Sequence, residues 1–443
     1  MARQHFTRRD FVKHNTLAGL GVISMGSIGG AQASQAPSAG PGISTIGELN
    51  LEQLRDRYRE ALFGRFLPNM DSLVVDHQLG GFMCSVDILS RQLVSTNKRA
   101  WYEGRGIWTY SFLYNNLEKN PRYLEIARKS KDFILKLLPA DDRFYVSGFT
   151  REGKPLLDAE GDIYGNLFVA EGLAEYSRAA GEKHDFDLAK KIILKAVERY
   201  DRPDFAYRHR AETPVKGPRI LGHWMILLSL TTQMLRQGPD ADIEGLADRC
   251  VTAIMKHHLN PEYQLLNEAL AHDLGPLSDR VASQVGDIGH GCETLAFVMN
   301  YAVLRKDATL FKAASEAFQR HVTVARDTVY GGHFHMLDNV DANAWTVNKV
   351  RWLQEEILLG ALTLVEHTGD RWALNCFAET DAYVREKFVR PEYAFVIDSG
   401  DRKVLEHSRI RAEHYHHLRQ LMVSLLAIER MIGRKKMPSG LFG

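Results

Sequence analysis

From residue 45 onward, apolar side chains recur at three- and four-residue spacing, the period of a helix that buries one face. Leu51, Leu54, Tyr58 and Leu62 share one such face. Leu188, Ile192, Ile193 and Ala196 share another, with Lys190, Lys191 and Glu198 turned to solvent. The pattern predicts twelve helices, at about 47–65, 99–119, 121–138, 161–181, 184–201, 219–237, 241–259, 287–305, 307–326, 345–368, 370–388 and 412–432. They pair across short polar turns such as Ala180-Gly181-Glu182, Gln237-Gly238-Pro239, Lys306-Asp307 and Thr368-Gly369-Asp370. Glycine suits a left-handed helix stop, and aspartate suits the next N-cap.

In each pair the first helix is the more apolar, as in Ile226–Leu230 and Ile357–Leu362, and the second is the more charged. About six pairs recur at a spacing of roughly 60–65 residues, and stacked repeats bury each other's faces. The expected fold is all-α. An (α/α)6 barrel with six inner and six outer helices fits the count, and so does an open solenoid. Connections near 72–98, 139–160, 260–286 and 389–411 contain alternating stretches, among them Gly81–Asp87 and Arg143–Gly148, that predict short β-hairpins. All of them precede inner helices, so they should gather at one mouth of a barrel, where loops carry function.

Composition narrows the function. Of 443 residues, 45% are hydrophobic and 25% charged, with 56 basic against 55 acidic side chains. That balance lacks the basic excess of a dedicated nucleic-acid binder. Cys84, Cys250, Cys292 and Cys376 form no C-x-x-C pair, which argues against a zinc ribbon or redox motif. Before the helices comes a different kind of segment. Arg8-Arg9 followed by Asp10, Phe11, Val12 and Lys13 resembles a twin-arginine export signal. A short, weakly apolar run and Ala31-Gln32-Ala33 follow. Residues 1–33 are therefore expected to be a cleavable signal, 34–44 a linker and 45–443 one catalytic domain. The expected destination is the periplasm or the exterior, reached folded through the twin-arginine machinery. No stable membrane anchor is expected. The leader has four basic residues against Asp10, so the remaining chain is at about −2.

Several clusters at the starts of the inner helices could carry chemistry. Trp101, Arg105 and Trp108 crowd the first, together with Arg99. An arginine on such an aromatic face is costly unless paired or meeting a ligand. His290 and Glu293 lie three apart on the fourth, and Trp352 and Glu356 four apart on the fifth. The sixth holds His414, His416 and His417 beside Glu413 and Arg419. Spacing alone leaves two uses for this cluster: His414 and His417 facing one metal ion, or a single inward histidine acting as a base. Tryptophan faces suit stacking on sugar rings.

In order, Gly80-Gly-Phe82, Lys98-Arg-x-Trp-x-x-x-Arg105-x-x-Trp108, Tyr164-x-x-x-Phe168-x-x-Glu171, Gly289-His-x-x-Glu293, Lys349-x-x-Trp352-x-x-x-Glu356 and Tyr415-His-x-x-Arg419 resemble the N-acylglucosamine 2-epimerase superfamily. The resemblance implies the closed (α/α)6 barrel. It also implies Arg105 as the active-site arginine, with His290 and His416 as the catalytic histidines. Trp352, Glu293, Glu356, Trp101 and Arg419 are then expected to bind substrate. Two positions depart from the pattern. Ile226 follows Met225 where disaccharide epimerases usually carry histidine, and Glu103 stands at a glutamine-like position.

The implied reaction is proton transfer at C2 of an open-chain aldose through an enediolate, with Glu293 orienting His290. Neither metal nor other cofactor is expected. The partner is a small carbohydrate, and the protein a monomer or homodimer. Two other classes fit the same barrel. A glycoside or unsaturated-uronide hydrolase would need two carboxylates from among Asp287, Glu293 and Glu356. A non-catalytic sugar-binding protein would use the aromatic platforms alone.

Overall fold

The computed structural model describes residues 42–442 apart from 158–159, 208–214, 280–281 and 406–407. The expected signal, and the linker up to residue 41, lie outside the described residues. The first rod is α1 (Leu51–Arg59), a π-helical stretch (Glu60–Phe66) and α2 (Leu67–Leu73). There follow α3 (Ala100–Asn116), α4 (Pro121–Leu135), α5 (Ile163–Ala180), α6 (Lys183–Tyr200) and α7 (Leu221–Leu235). Then come α8 (Ala241–Thr252, extended by a π-helical stretch, Ala253–His258), α9 (Ile288–Arg305), α10 (Ala308–Ala325), α11 (Arg351–Thr368), α12 (Arg371–Lys387) and α13 (His416–Gly433).

Helices α3, α5, α7, α9, α11 and α13 pack side by side in chain order, and α13 returns to α3. That contact closes the ring and excludes the open solenoid. The inner helices are buried nearly all round, as in α5, where every residue from Ile163 to Ser177 is buried. The outer helices bury one stripe. In α6 it comprises Asp185, Ala189, Ile192, Ile193, Ala196, Val197 and Tyr200. Among the described residues, no helix is long and apolar enough to cross a membrane. The turns behave as their residues require. Gly181 and Gly369 stop α5 and α11 in the left-handed region. The side chains of Asp240, Asp307 and Asp370 cap α8, α10 and α12.

Short antiparallel ladders rim the mouth at the N-terminal ends of the inner helices. Lys98–Arg99 pairs with Gly148–Phe149, Arg219–Ile220 with Ala269–Leu270, Gly286–Asp287 with Met336–Leu337, and Lys349–Val350 with Ser399–Gly400. Each of these four loops leading into an inner helix is thereby tied to the start of the inner helix before it. One buried lock occurs twice. Lys98 Nζ lies 3.1 Å from Asp76 and donates to the Gly80 carbonyl at 2.6 Å, and Arg151 clasps the same aspartate. Lys349, Asp327, Gly331 and Arg402 repeat the arrangement.

The two expected hairpins form, and two helix starts need correction. The Gly81–Asp87 region does form a hairpin, Ser85–Asp87 against Gln92–Ser95. Arg143–Gly148 forms an irregular one, bridged antiparallel at Val146–Glu160 and Phe149–Pro155, while Gly148–Phe149 also pairs with the distant Lys98–Arg99. Helix α11 starts at Arg351 rather than near 345, since Ala344–Thr346 is a strand paired with Met336–Asn339. Helix α13 starts at His416 rather than near 412, because Glu413 accepts the Tyr415 and His416 N–H groups at 3.0 Å each.

Candidate active site

The start of α13 at His416 decides the histidine cluster. His414 precedes the helix, so it and His417 do not share a helical face. His414 Nε2 donates to the Tyr102 carbonyl at 2.8 Å, and its ring stacks on Phe82. His417 Nδ1 pairs with Glu355 at 2.5 Å. Their different partners leave no common ion between them, and neither falls in the two groupings of metal-ligand type found among the described residues.

His416 is the first residue of α13, and His290 the third of α9. Each begins a helix that a carboxylate caps. Asp287 Oδ1 accepts the His290 N–H at 3.1 Å, as Glu413 does for His416. Each ring is also held through Nδ1. His290 Nδ1 meets Glu268 Oε1 at 2.9 Å, and His416 Nδ1 meets Glu356 Oε1 at 2.9 Å. A carboxylate acceptor keeps a proton on Nδ1 and leaves Nε2 as the nitrogen for chemistry. Both rings pack on the Trp352 indole, with centroids 5.8 and 5.3 Å from it. Gly289 permits this: a Cβ there would lie 2.2 Å from the indole edge.

The two environments differ in charge. Burial opposes protonation of His290, yet Glu268 and Asp287 outweigh it and push its pKa up to about 10. Burial dominates at His416, and Arg105 and Arg419 add to it against Glu413 and Glu293, so its pKa falls to about 4. Their surroundings therefore bias His290 toward the protonated form and His416 toward the neutral form.

Arg105 lies in an aromatic box, with its guanidinium carbon 4.2 Å from the Phe168 ring centre, 4.6 Å from Tyr415 and 5.7 Å from Trp101. Among the described residues its one charge contact is Glu413 at 3.7 Å, and Nε makes no hydrogen bond. Its donors are largely unspent. Arg419, by contrast, grips both Glu293, at 2.8 Å, and Glu356. Those two carboxylates lie behind the histidines and are buried. Trp101 donates from Nε1 to Asp162 at 3.1 Å.

The structure thus gathers His290, His416, Trp352, Arg105 and Trp101 at the mouth, with Arg419, Glu293 and Glu356 as a charged layer beneath. The carboxylate that accepts from His290 is Glu268, not Glu293. Sequence reasoning missed Glu268 because it sits in an irregular loop beside the Ala269–Leu270 strand, where no periodicity marks it. All three carboxylates considered for a hydrolase are committed: Asp287 to its cap, and Glu293 and Glu356 to Arg419.

The chain is similar to several known proteins. The family profile described as N-acylglucosamine 2-epimerase (GlcNAc 2-epimerase) matches residues 80–419. The chain is 26% identical over 335 residues to the N-acylglucosamine 2-epimerase of Bos taurus, covering 72% of this chain and 77% of that one. It is 24% identical over 347 residues to the cellobiose 2-epimerase of Bacteroides fragilis, covering 73% and 85%. The solved cellobiose 2-epimerase of Bacillus thermoamylovorans superposes with a TM-score of 0.73 at 16% identity, covering 86% of this chain and all of that one. A D-mannose isomerase structure superposes at 0.69 and 12% identity, covering 85% and 98%. With a matching profile over most of its length and the barrel to go with it, this chain belongs to the N-acylglucosamine 2-epimerase family.

Proposed function

We propose that this protein, by family a carbohydrate epimerase or isomerase, works by proton transfer at C2 of an open-chain aldose with His290 and His416 as the acid–base pair. The observation that carries this reading is the matched pair of histidines on one indole, each with Nδ1 held by a buried carboxylate. In the resting state His416 is the neutral base. It takes the C2 proton, and the C–H electron pair moves into the C1–C2 bond while the carbonyl electrons move onto oxygen. Arg105, with its donors unspent, supports the enediolate oxygen as charge develops. His290 returns a proton. Delivery to the other face of C2 gives the epimer, and delivery to C1, with the C2 hydroxyl proton passing to O1, gives the ketose. The roles reverse for the back reaction.

The test is proton NMR of a panel of free hexoses, acetamido sugars and disaccharides in heavy water. Exchange at C2 identifies substrate and reaction together. His290→Ala and His416→Ala should each lower exchange by roughly 10²–10⁴-fold. Full exchange in both variants would sink the proposal.

Residues 1–33 are read alongside this as a twin-arginine export signal, supported by the order Arg8-Arg9, apolar run and Ala31-Gln32-Ala33. Replacing Arg8 and Arg9 together by lysine should hold the protein in the cytoplasm of its host. Unchanged export would reject that assignment.

A further inference from the structure

Helix α5 carries none of the side chains given a chemical role above, yet it holds all three walls of the box around Arg105. Phe168 is itself on α5. Trp101 is tied to Asp162, the cap of α5, through its indole N–H. Tyr415 is tied to Glu171, with its hydroxyl donating to Oε2 at 3.1 Å. Phe168 and Glu171 lie three apart, on one face of the helix. The Phe168 and Tyr415 rings meet edge to face, with centres 5.8 Å apart.

Glu171 is buried, with 1% of its surface exposed. Among the described residues its carboxyl meets only two hydroxyls, that of Tyr415 and that of Ser229, the latter at 3.2 Å. Burial pushes its pKa up to about 7. A buried carboxyl with no cation bonded to it is costly, and an apolar side chain of the same bulk would avoid that cost. What such a side chain would lose is the bond to Tyr415. Arg105 depends on that ring. Its guanidinium carbon lies 4.6 Å from the Tyr415 ring centre, and its charge contact with Glu413 is long, at 3.7 Å. Rings, rather than short directional bonds, therefore set where the guanidinium points. A ring held by packing alone can tilt, and one also bonded at its hydroxyl is fixed.

We infer, resting on the role proposed above for Arg105, that Glu171 is its positioning residue, acting through the hydroxyl and ring of Tyr415. The carboxyl accepts from Tyr415 whether ionised or neutral, so its own titration adds no limb to the pH profile. Glutamine can do the same, with its carbonyl oxygen toward Tyr415 and its amide donating to Ser229.

The test compares Glu171→Leu, which keeps the bulk and removes the acceptor, with Glu171→Gln, which keeps both. C2 exchange in heavy water is followed on D-glucose, N-acetyl-D-glucosamine and lactose. Glu171→Leu should lower kcat roughly ten- to a hundredfold with little change in KM, the signature of a misplaced group that acts in the transition state. Tyr415→Phe should match it, and Glu171→Gln should restore most of the rate. In an Arg105→Lys background, Glu171→Leu should lower kcat no further. A crystal structure of Glu171→Leu should show the guanidinium displaced from Phe168 by about 1 Å or more. Wild-type kcat in Glu171→Leu, an undiminished effect in the Arg105→Lys background, or an unmoved guanidinium overturns the inference. So does a shift of the acid limb of the pH profile, which would place the effect on His416. Absence of C2 exchange in the wild type instead counts against the catalytic reading, and the crystallographic comparison then still decides the positioning.

Discussion

His290 and His416, on helices that begin more than a hundred residues apart, pack against the same indole, that of Trp352. The carboxylates around them are arranged differently. Those near His290 raise its proton affinity, whereas burial and two arginines lower that of His416. A single platform thus carries two imidazoles whose surroundings bias them toward opposite protonation states.

Under the proposed mechanism this asymmetry sets the pH profile. His416 works as a base while neutral, so activity should fall as pH drops through about 4. His290 works as an acid while protonated, so activity should fall as pH rises through about 10. A plot of kcat/KM should therefore be flat across neutrality, provided the barrel stays folded at both ends. A limb near the ordinary histidine value of about 6.5 would contradict the assignment.

Glu268 is the group that raises His290. Replacing it by glutamine keeps a hydrogen-bond acceptor and removes the charge. The alkaline limb in Glu268→Gln should move down from about 10 toward neutrality, while the acid limb stays in place. A merely structural role for Glu268 would lower activity at every pH without moving the limb.

The barrel contains its own control for Glu103. Glu103 accepts the Phe82 N–H at 3.0 Å and the Ser130 hydroxyl at 2.8 Å. In the second copy of the same loop, Gln354 accepts the His333 N–H at 3.1 Å and donates to the His333 carbonyl at 3.0 Å. Burial pushes the Glu103 carboxyl up to about 7. A folded value above the unfolded one means that its contribution is present below about 4.3 and is lost as pH rises through 7, by roughly 3 kcal/mol. Glu103→Gln should therefore leave melting unchanged near pH 4 and raise Tm near pH 8. An equal drop at both values would refute this.

Asp76 and Asp327 are the anions of the duplicated lock. Each lies fully buried against a fully buried lysine. Removing one leaves a buried ammonium without its partner, so Asp76→Ala and Asp327→Ala should each cost about 3–5 kcal/mol in chemical denaturation. Both carboxyls are held below their ordinary range, chiefly by Arg151 or Arg402 and by backbone N–H groups working against burial. Their stabilisation is present above about pH 4 and is lost as the medium becomes more acidic.

All four cysteines are free and buried. A thiol reagent should label none of them in the native protein and all four after unfolding. Rapid native labelling would show that one of them opens to solvent.

The helical period was legible in the sequence because a helix's buried face is written into residues three and four apart on one element. The stops at Gly181 and Gly369 and the caps at Asp240, Asp307 and Asp370 were legible for the same local reason. Ordered motifs also pointed to His290, His416 and Arg105. Ring closure was decided in three dimensions, by α13 meeting α3. So was the choice among His414, His416 and His417, because Glu413 sets where α13 begins. Glu268 became visible only when its loop folded beside α9, and Glu293 and Glu356 proved to belong to Arg419. The protonation states lay furthest from the sequence. They depend on burial and on charges brought in from other repeats, and neither has a spacing that a linear pattern can carry.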